Sequence, residues 1–196
     1  MTITMEEISK LREATSAGMM DCKKALEESK GDFDGAIEVL RKKGAATSAK
    51  RAERDAKEGL IVSYIHNNRI GTLLEFNCET DFVALNDDFK LLANDLAMHI
   101  AASAPEYISP SNVPAEIVAK EKEIELAQLK DAGKPEKVID KILEGKIEKF
   151  YSRVCLMKQP FIKNPDVTVE DLINEKTAAI GEKISVRRFV RFELGK

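Results

Sequence analysis

The side chains best suited to covalent or metal chemistry in this chain are two histidines and three cysteines, and their spacing leaves them little to do together. His66 ends a strand-like run and His99 lies inside Met98-His99-Ile100-Ala101. They form neither HExxH nor any other helical metal pair, so each reads as a core or interface histidine. Cys22, Cys78 and Cys155 are far apart and odd in number, which fits neither a disulfide framework nor a zinc site of paired CxxC; they read as buried free thiols. The ten glycines are scattered, with neither GxxxxGK[ST] nor GxGxxG after a strand, and no GxSxG marks a nucleophile. The expectation is a protein without covalent catalysis, cofactor or metal. What remains is contact chemistry. Met19-Met20 follow Gly18 on a short helix, where methionines either pack inward or adapt to a partner surface. Thr80-Asp81-Phe82-Val83 ends a strand-like run and places an aromatic among acids, either as a loop plug or as a group held out for contact.

With 196 residues the chain can bury one ordinary core and a small satellite domain. Hydrophobic residues make up 43% and charged residues 33%, with 31 Lys and Arg against 34 Asp and Glu. That net charge of −3 lacks the basic surplus of a protein that works by neutralising phosphates, so no direct nucleic-acid partner is expected. No apolar run reaches the ~18 residues of a membrane span, and residues 1–10 carry two acids rather than an apolar leader core, so a cytoplasmic protein without membrane association is expected.

The elements that must position these residues can be read from periodicity. Met5, Ile8 and Leu11 share one helical face, Ser16 can cap, and Met19, Cys22 and Leu26 mark a second. Gly31-Asp32 ends that helix and caps a third, in which Phe33, Ala36, Ile37 and Leu40 recur before Gly44 closes it. Residues 1–45 thus form a miniature bundle of three helices. Residues 46–59 are rich in Ala and charge without a large apolar side chain, which marks a helical linker. Its Lys50, Arg51 and Arg54 are interleaved with acids and read as a solvated face rather than an RNA contact. From Leu60 the period becomes two. LIVSYIH and RIGTLLEFNC, joined through Asn67-Asn68, make a hairpin in which Ile70, Leu74 and Phe76 face a core while Glu75 and Asn77 face away. Asn86 or Asp87 caps a helix striped by Phe89, Leu92, Ala93, Leu96 and Ile100, which covers the sheet.

Residues 115–133 form a charged helix with a thin seam of Ile117, Ile124 and Leu129, broken at Gly133-Lys134-Pro135. Residues 135–154 resume with a broader stripe interrupted by Gly145, a short helix follows near 168–180, and 184–195 read as a last strand. Its Val186, Val190, Phe192 and Leu194 alternate against Arg187, Phe189 and Arg191. Residues 60–196 are therefore an α+β core with an antiparallel sheet packed against helices.

LREATSAGMMDCKKAL (11–26) and EFNCETDFVA (75–84) closely resemble the two signature stretches of the bacterial elongation factor Ts family. GKPEKVIDKILEGKIEKF, Gln159-Pro160-Phe161 and Arg191-Phe192-Glu193 are similar to the same family, so the resemblance spans nearly the whole chain. Phe76 stands where a branched or aliphatic residue is usual, and Leu85 where a polar or basic one is common. The resemblance implies a ubiquitin-associated-like bundle ahead of an α+β core, and a guanine nucleotide exchange factor that releases GDP from elongation factor Tu without covalent chemistry. It implies that Asp81 and Phe82 of the Thr80–Val83 loop disturb the Mg²⁺ and phosphate end of the GTPase's pocket. It also implies that Arg12, Met19 and Met20, with Lys23 on the same motif, grip a helix of the GTPase. Longer members carry a larger second half of the core, and a chain this short is expected to compensate as a homodimer. The rival readings are a binding module of the translation apparatus without exchange activity and, last, a metabolic enzyme, for which the acid, base and metal constellations are missing.

Overall fold

The computed structural model describes residues 3–15, 17–132 and 135–196, the side chains of 136 and 137 apart. The expected cap at Ser16 and the break at Gly133-Lys134 lie outside the described residues. The chain divides into two compact units, Met1–Ala101 with Glu170–Lys196, and Ala102–Val169.

The first unit opens with three helices, α1 (Met5–Thr15), α2 (Met19–Glu28) and α3 (Phe33–Arg51). A capping box starts α1: the Glu7 carboxylate accepts the Thr4 N–H at 2.7 Å, and the Thr4 hydroxyl oxygen accepts the Glu7 N–H at 3.2 Å. The α2–α3 turn runs through Lys30 and Gly31 at positive φ, with the Gly31 N–H donating to the Leu26 carbonyl, and the Asp32 side chain then caps α3. Ile8, Leu11, Cys22, Ala25, Leu26 and Ala36 close the bundle core, with Phe33, Ile37 and Leu40 packed against it. Met5, expected on the buried face of α1, is exposed instead, and Ile3 makes the apolar contact with the core at that end.

Gly44 does not end α3. The helix runs on to Arg51 through residues assigned from sequence to a linker without a buried face. A face exists, but it is built of small and polar side chains facing α8 (Val169–Ile180): Gly44 is buried and a Cβ there would lie 3.3 Å from the Asn174 carbonyl oxygen, Thr47 shares a cleft with Ala178 and Ala179, and Arg51 donates to the Thr177 carbonyl at 3.1 Å. Hydrophobic periodicity cannot register a seam of this composition. Arg51 and Arg54 are accordingly structural anchors, not an idle solvated face.

Strands β1 (Glu58–His66) and β2 (Ile70–Cys78) form the expected hairpin, reversing through Asn67 and Asn68 at φ 49° and 54°. Gly59 is required at the strand's start, since its φ is +143° and a Cβ there would lie 2.2 Å from the Phe76 carbonyl oxygen. β5 (Ser185–Glu193) pairs antiparallel with β2, giving the order β1-β2-β5. Thr72, Leu74, Phe76 and Cys78 are buried, and Phe76 stacks on Phe89 of helix α5 (Asp87–Ser103) with ring centroids 4.8 Å apart. Asn86 caps α5 by accepting the Asp88 N–H at 2.7 Å, and the expected stripe from Phe89 to Ile100 is buried against the sheet.

Two expectations for this sheet fail. Asn77 is buried rather than outward, because its side-chain amide donates to the Ala56 carbonyl at 3.1 Å. In β5 the pairing shifts by one residue beside Glu75 and Phe76, leaving Arg187 without a partner across the ladder. That bulge turns Val186 inward while Val190, Phe192 and Leu194 point outward, so the four do not share a face.

In the second unit α6 (Ala115–Asp131) and α7 (Glu136–Val154) pair antiparallel, with Lys146–Glu125 and Arg153–Glu121 ion pairs at 3.1 and 3.2 Å. Leu129 is buried, but Ile117 and Ile124 stay largely exposed. Val113, Phe150, Val154 and Cys155 form a small core, and β3 (Pro160–Phe161) with β4 (Asn164–Thr168) make a second hairpin.

Two helical glycines separate packing from propensity. A side chain at Gly145 meets nothing within 4 Å, so Gly145→Ala is expected to stabilise by about 0.5–1 kcal/mol. At Gly44 the same helix gain of about 1 kcal/mol is outweighed by about 1–3 kcal/mol of overpacking against α8, so Gly44→Leu is expected to destabilise. Urea denaturation of both variants checks the opposite signs.

Candidate functional site

The stretch after β2 turns directly into a single helical turn, α4 (Asp81–Ala84), with Thr80 at its N-cap. Ala84 is buried and Val83 half-buried, which seats the turn, while Asp81 is exposed and Phe82 is 81% exposed. Leaving a phenylalanine in water forgoes about 1.5–3 kcal/mol of burial, a cost the fold accepts at this position. Leu85, three residues on and 67% exposed, extends the same apolar surface. The sequence marked Leu85 only for its departure from the family pattern and gave no sign of its exposure.

Thr80 does not cap in the usual way, by accepting an N–H of the first turn. Its hydroxyl donates to Glu182 Oε1 at 2.7 Å and its N–H to Glu182 Oε2 at 3.0 Å. Its carbonyl accepts the Ala84 N–H and the Cys78 thiol, at 3.3 and 3.1 Å. Burial pushes the Cys78 thiol up to about 11, so it stays protonated and serves as a donor at neutral pH. Beside it, Glu79 accepts the Lys183 N–H at 2.6 Å and Arg54 at 3.2 Å, and Lys183 Nζ donates to the Ala52 and Arg54 carbonyls at 2.7 and 2.8 Å. The Lys183 N–H first, then the Arg54 guanidinium, hold the Glu79 carboxyl below its ordinary range against the opposing effect of burial. Glu182 and Lys183 carried no motif signal, Glu79 stood unremarked inside the 75–84 motif and Arg54 was read as solvated, and only the meeting of three chain segments joins them.

The other expected contact residues lie on the bundle. Arg12 is exposed on α1, and Met19 and Met20 open α2 with 47% and 62% of their surfaces exposed, so both methionines face outward. Lys23 follows one turn later, within 3.9 Å of Glu27, and Asp21 beside them pairs with Lys43 of α3. Thr80, Asp81, Phe82 and Val83 form one set on the sheet's end, and Arg12, Met19, Met20 and Lys23 a second set on the bundle's own core.

A third surface was not anticipated. The sheet face turned away from α5 carries Ile61, Ile65, Leu73, Val190 and Phe192, with Leu194 just beyond, all exposed by 40–69%. The ladder places Gly71 between Ile65 and Phe192, and Leu73 between Ser63 and Val190. His99 is buried while His66, at the hairpin's end, is exposed and bonded to Tyr64. All three cysteines are buried and free. Among the described residues no group of three or more His, Cys, Asp or Glu is placed to hold a metal ion, and no helix is long and apolar enough to cross a membrane.

Comparison with known proteins gives a single family. The family model described as Elongation factor TS matches residues 3–196. Elongation factor Ts of Moorella thermoacetica is 60% identical over 195 residues, which cover 99% of this chain and 96% of that protein. That of Thermodesulfovibrio yellowstonii is 58% identical over 196 residues, covering 100% and 98%, and that of Carboxydothermus hydrogenoformans 58% over 195, covering 99% and 90%.

Because the folded Glu79 carboxyl sits below its ordinary value of 4.5, its bonds add stability above that pH and lose it as pH falls through the folded value. Glu79→Gln is therefore expected to be less stable than the wild type at pH 7, with the gap narrowing at pH 3, as read from urea midpoints.

Proposed function

The chain belongs to the elongation factor Ts family and is a translation elongation factor; from that premise we propose that it accelerates GDP release from elongation factor Tu. The observation that carries this reading is Phe82, 81% exposed on a turn whose base is held by hydrogen bonds. A rigidly presented aromatic can enter a partner's surface without paying to order itself. Asp81 and Phe82 act on the Mg²⁺ and phosphate end of the nucleotide pocket, with Thr80 and Val83 shaping the loop. Arg12, Met19, Met20 and Lys23 hold the GTPase through the bundle. No cofactor takes part, and the protein performs no covalent step.

The thermodynamics of such a role is reciprocal: a factor that weakens GDP binding is itself bound more weakly while GDP is present, by the same ratio. Weakening a tightly held nucleotide by about 10⁴-fold takes about 5.5 kcal/mol of differential contact, more than one phenylalanine supplies. Two grips on one molecule meet that requirement, since engagement of one raises the effective concentration of the other. The grips divide the labour, Phe82 acting on the rate and the bundle on affinity.

The outward sheet face supports pairing of two copies of this chain. Three strands of nine residues offer a patch of about 30 by 14 Å, so two facing copies bury about 840 Å² before side-chain relief, the size of a small and weak interface. Its self-complementary apolar rows suit sheet-on-sheet packing about a two-fold axis. Working in the cytoplasm, the dimer needs neither membrane nor nucleic acid.

Stopped-flow release of a fluorescent GDP analogue from elongation factor Tu tests the main reading. Phe82→Ala is expected to lower the limiting rate by about 10- to 100-fold, equivalent to about 1.4–2.7 kcal/mol, with little change in half-saturating concentration. Met20→Ala is expected to raise that concentration first. No acceleration by the wild-type chain would leave a binding module in its place. Sedimentation equilibrium tests the pairing: Phe192→Glu should give a monomer with an unchanged far-UV spectrum, and a monomeric wild type would refute it.

A further inference from the structure

The loop that carries Phe82 cannot hold itself in place. α4 has four residues, far below the roughly 12–15 at which an isolated helix becomes even marginal in water. Its one buried side chain is Ala84, which offers little packing to fix an orientation. Thr80, the residue that would stabilise the turn through its own hydroxyl, makes no such cap and gives that hydroxyl to another segment. The receiver is Glu182, which follows Gly181 at φ 87° just after α8 and is about a hundred residues away in sequence. Both of its oxygens are used on Thr80, one on the N–H and one on the hydroxyl, so the carboxylate fixes the residue's rotation as well as its distance.

The neighbouring residue extends the same corner. Lys183 donates its N–H to Glu79, immediately before Thr80, and its ammonium to the Ala52 and Arg54 carbonyls just past the end of α3. Two segments distant from each other in sequence, Ala52–Arg54 and Glu79-Thr80, therefore close on Glu182-Lys183. We propose that Glu182 is a positioning residue for GDP release, acting through Thr80 to hold α4 so that Phe82 is presented in one orientation; this rests on the exchange reading of that loop. Without it, α4 samples many orientations and only a fraction of complexes has Phe82 in place, which scales the rate by that fraction. Binding through the bundle does not depend on Thr80, so affinity is largely kept.

The experiment uses the full chain and the same GDP-release assay, run against factor concentration so that limiting rate and half-saturation separate. Glu182→Ala is expected to lower the limiting rate by about 10-fold while half-saturation moves by less than about 2-fold. Glu182→Gln keeps one acceptor oxygen and Thr80→Val keeps the N–H bond, so each should fall between the wild type and Glu182→Ala. These milder variants carry the test if Glu182→Ala does not fold. Amide hydrogen exchange on free protein should show faster exchange at Ala84, whose N–H bonds to the Thr80 carbonyl, in all three variants. A wild-type limiting rate in Glu182→Ala beside a slowed Phe82→Ala would overturn the role of Glu182 and leave the loop's role standing. A loss confined to half-saturation would also overturn it. A wild-type rate in Phe82→Ala, where Glu182 is untouched, would instead overturn the reading of the loop itself and with it the role built on it.

Discussion

One turn of helix has no stability of its own, and the arrangement around α4 follows from that constraint. Nucleation costs more than a single hydrogen bond returns, so the turn persists only where surrounding structure over-determines it. Here Thr80 supplies every handle it has: hydroxyl and N–H to Glu182, carbonyl to the Cys78 thiol and the Ala84 N–H. Cys78 can serve because a thiol is protonated at neutral pH, and burial raises it further, to about 11. The result is an exposed phenylalanine on a fixed base, a combination that neither a floppy loop nor a buried plug provides.

The sheet solves a related problem. β2 must bury Leu74 and Phe76 against α5 and end in position to launch α4, which commits one face to the core. The bulge in β5 lets Val186 join that core while the rest of the strand turns Val190 and Phe192 outward. The outer face is carried by Ile61, Ile65 and Leu73 as well as by Val190 and Phe192, and a regular ladder through Arg187 would have put Val186 on that side too.

α3 joins the bundle's helices to the segment that Lys183 anchors. It does so without large apolar residues, through the buried Gly44, Thr47 and the Arg51 bond to α8. Close approach of backbones replaces side-chain burial here, and it gives the first unit a direct mechanical path from Met19 and Met20, at the start of α2, to the residues around Thr80. Two exposed residue sets on one framework leave less ordering to be done on binding than two on a flexible tether would.

The sequence by itself determined the three bundle helices, the hairpin at Asn67-Asn68 and the Phe89–Ile100 stripe, since each is written in local periodicity or turn chemistry; it left Phe82 open between a plug and an exposed group, and the structure exposes it. Residues 11–26 and 75–84 also carry the resemblance to the elongation factor Ts family. Tertiary structure alone decided that α3 passes through Gly44, that Asn77 is buried, that β5 changes face at Arg187, and that both methionines look outward. It alone brought Glu182 to Thr80. The physical reason is the same in each case: a small-residue seam, a bulge and a carboxylate reaching across a hundred residues depend on which backbone arrives next to which. Hydrophobic period and propensity describe a segment's preferences, not its neighbours.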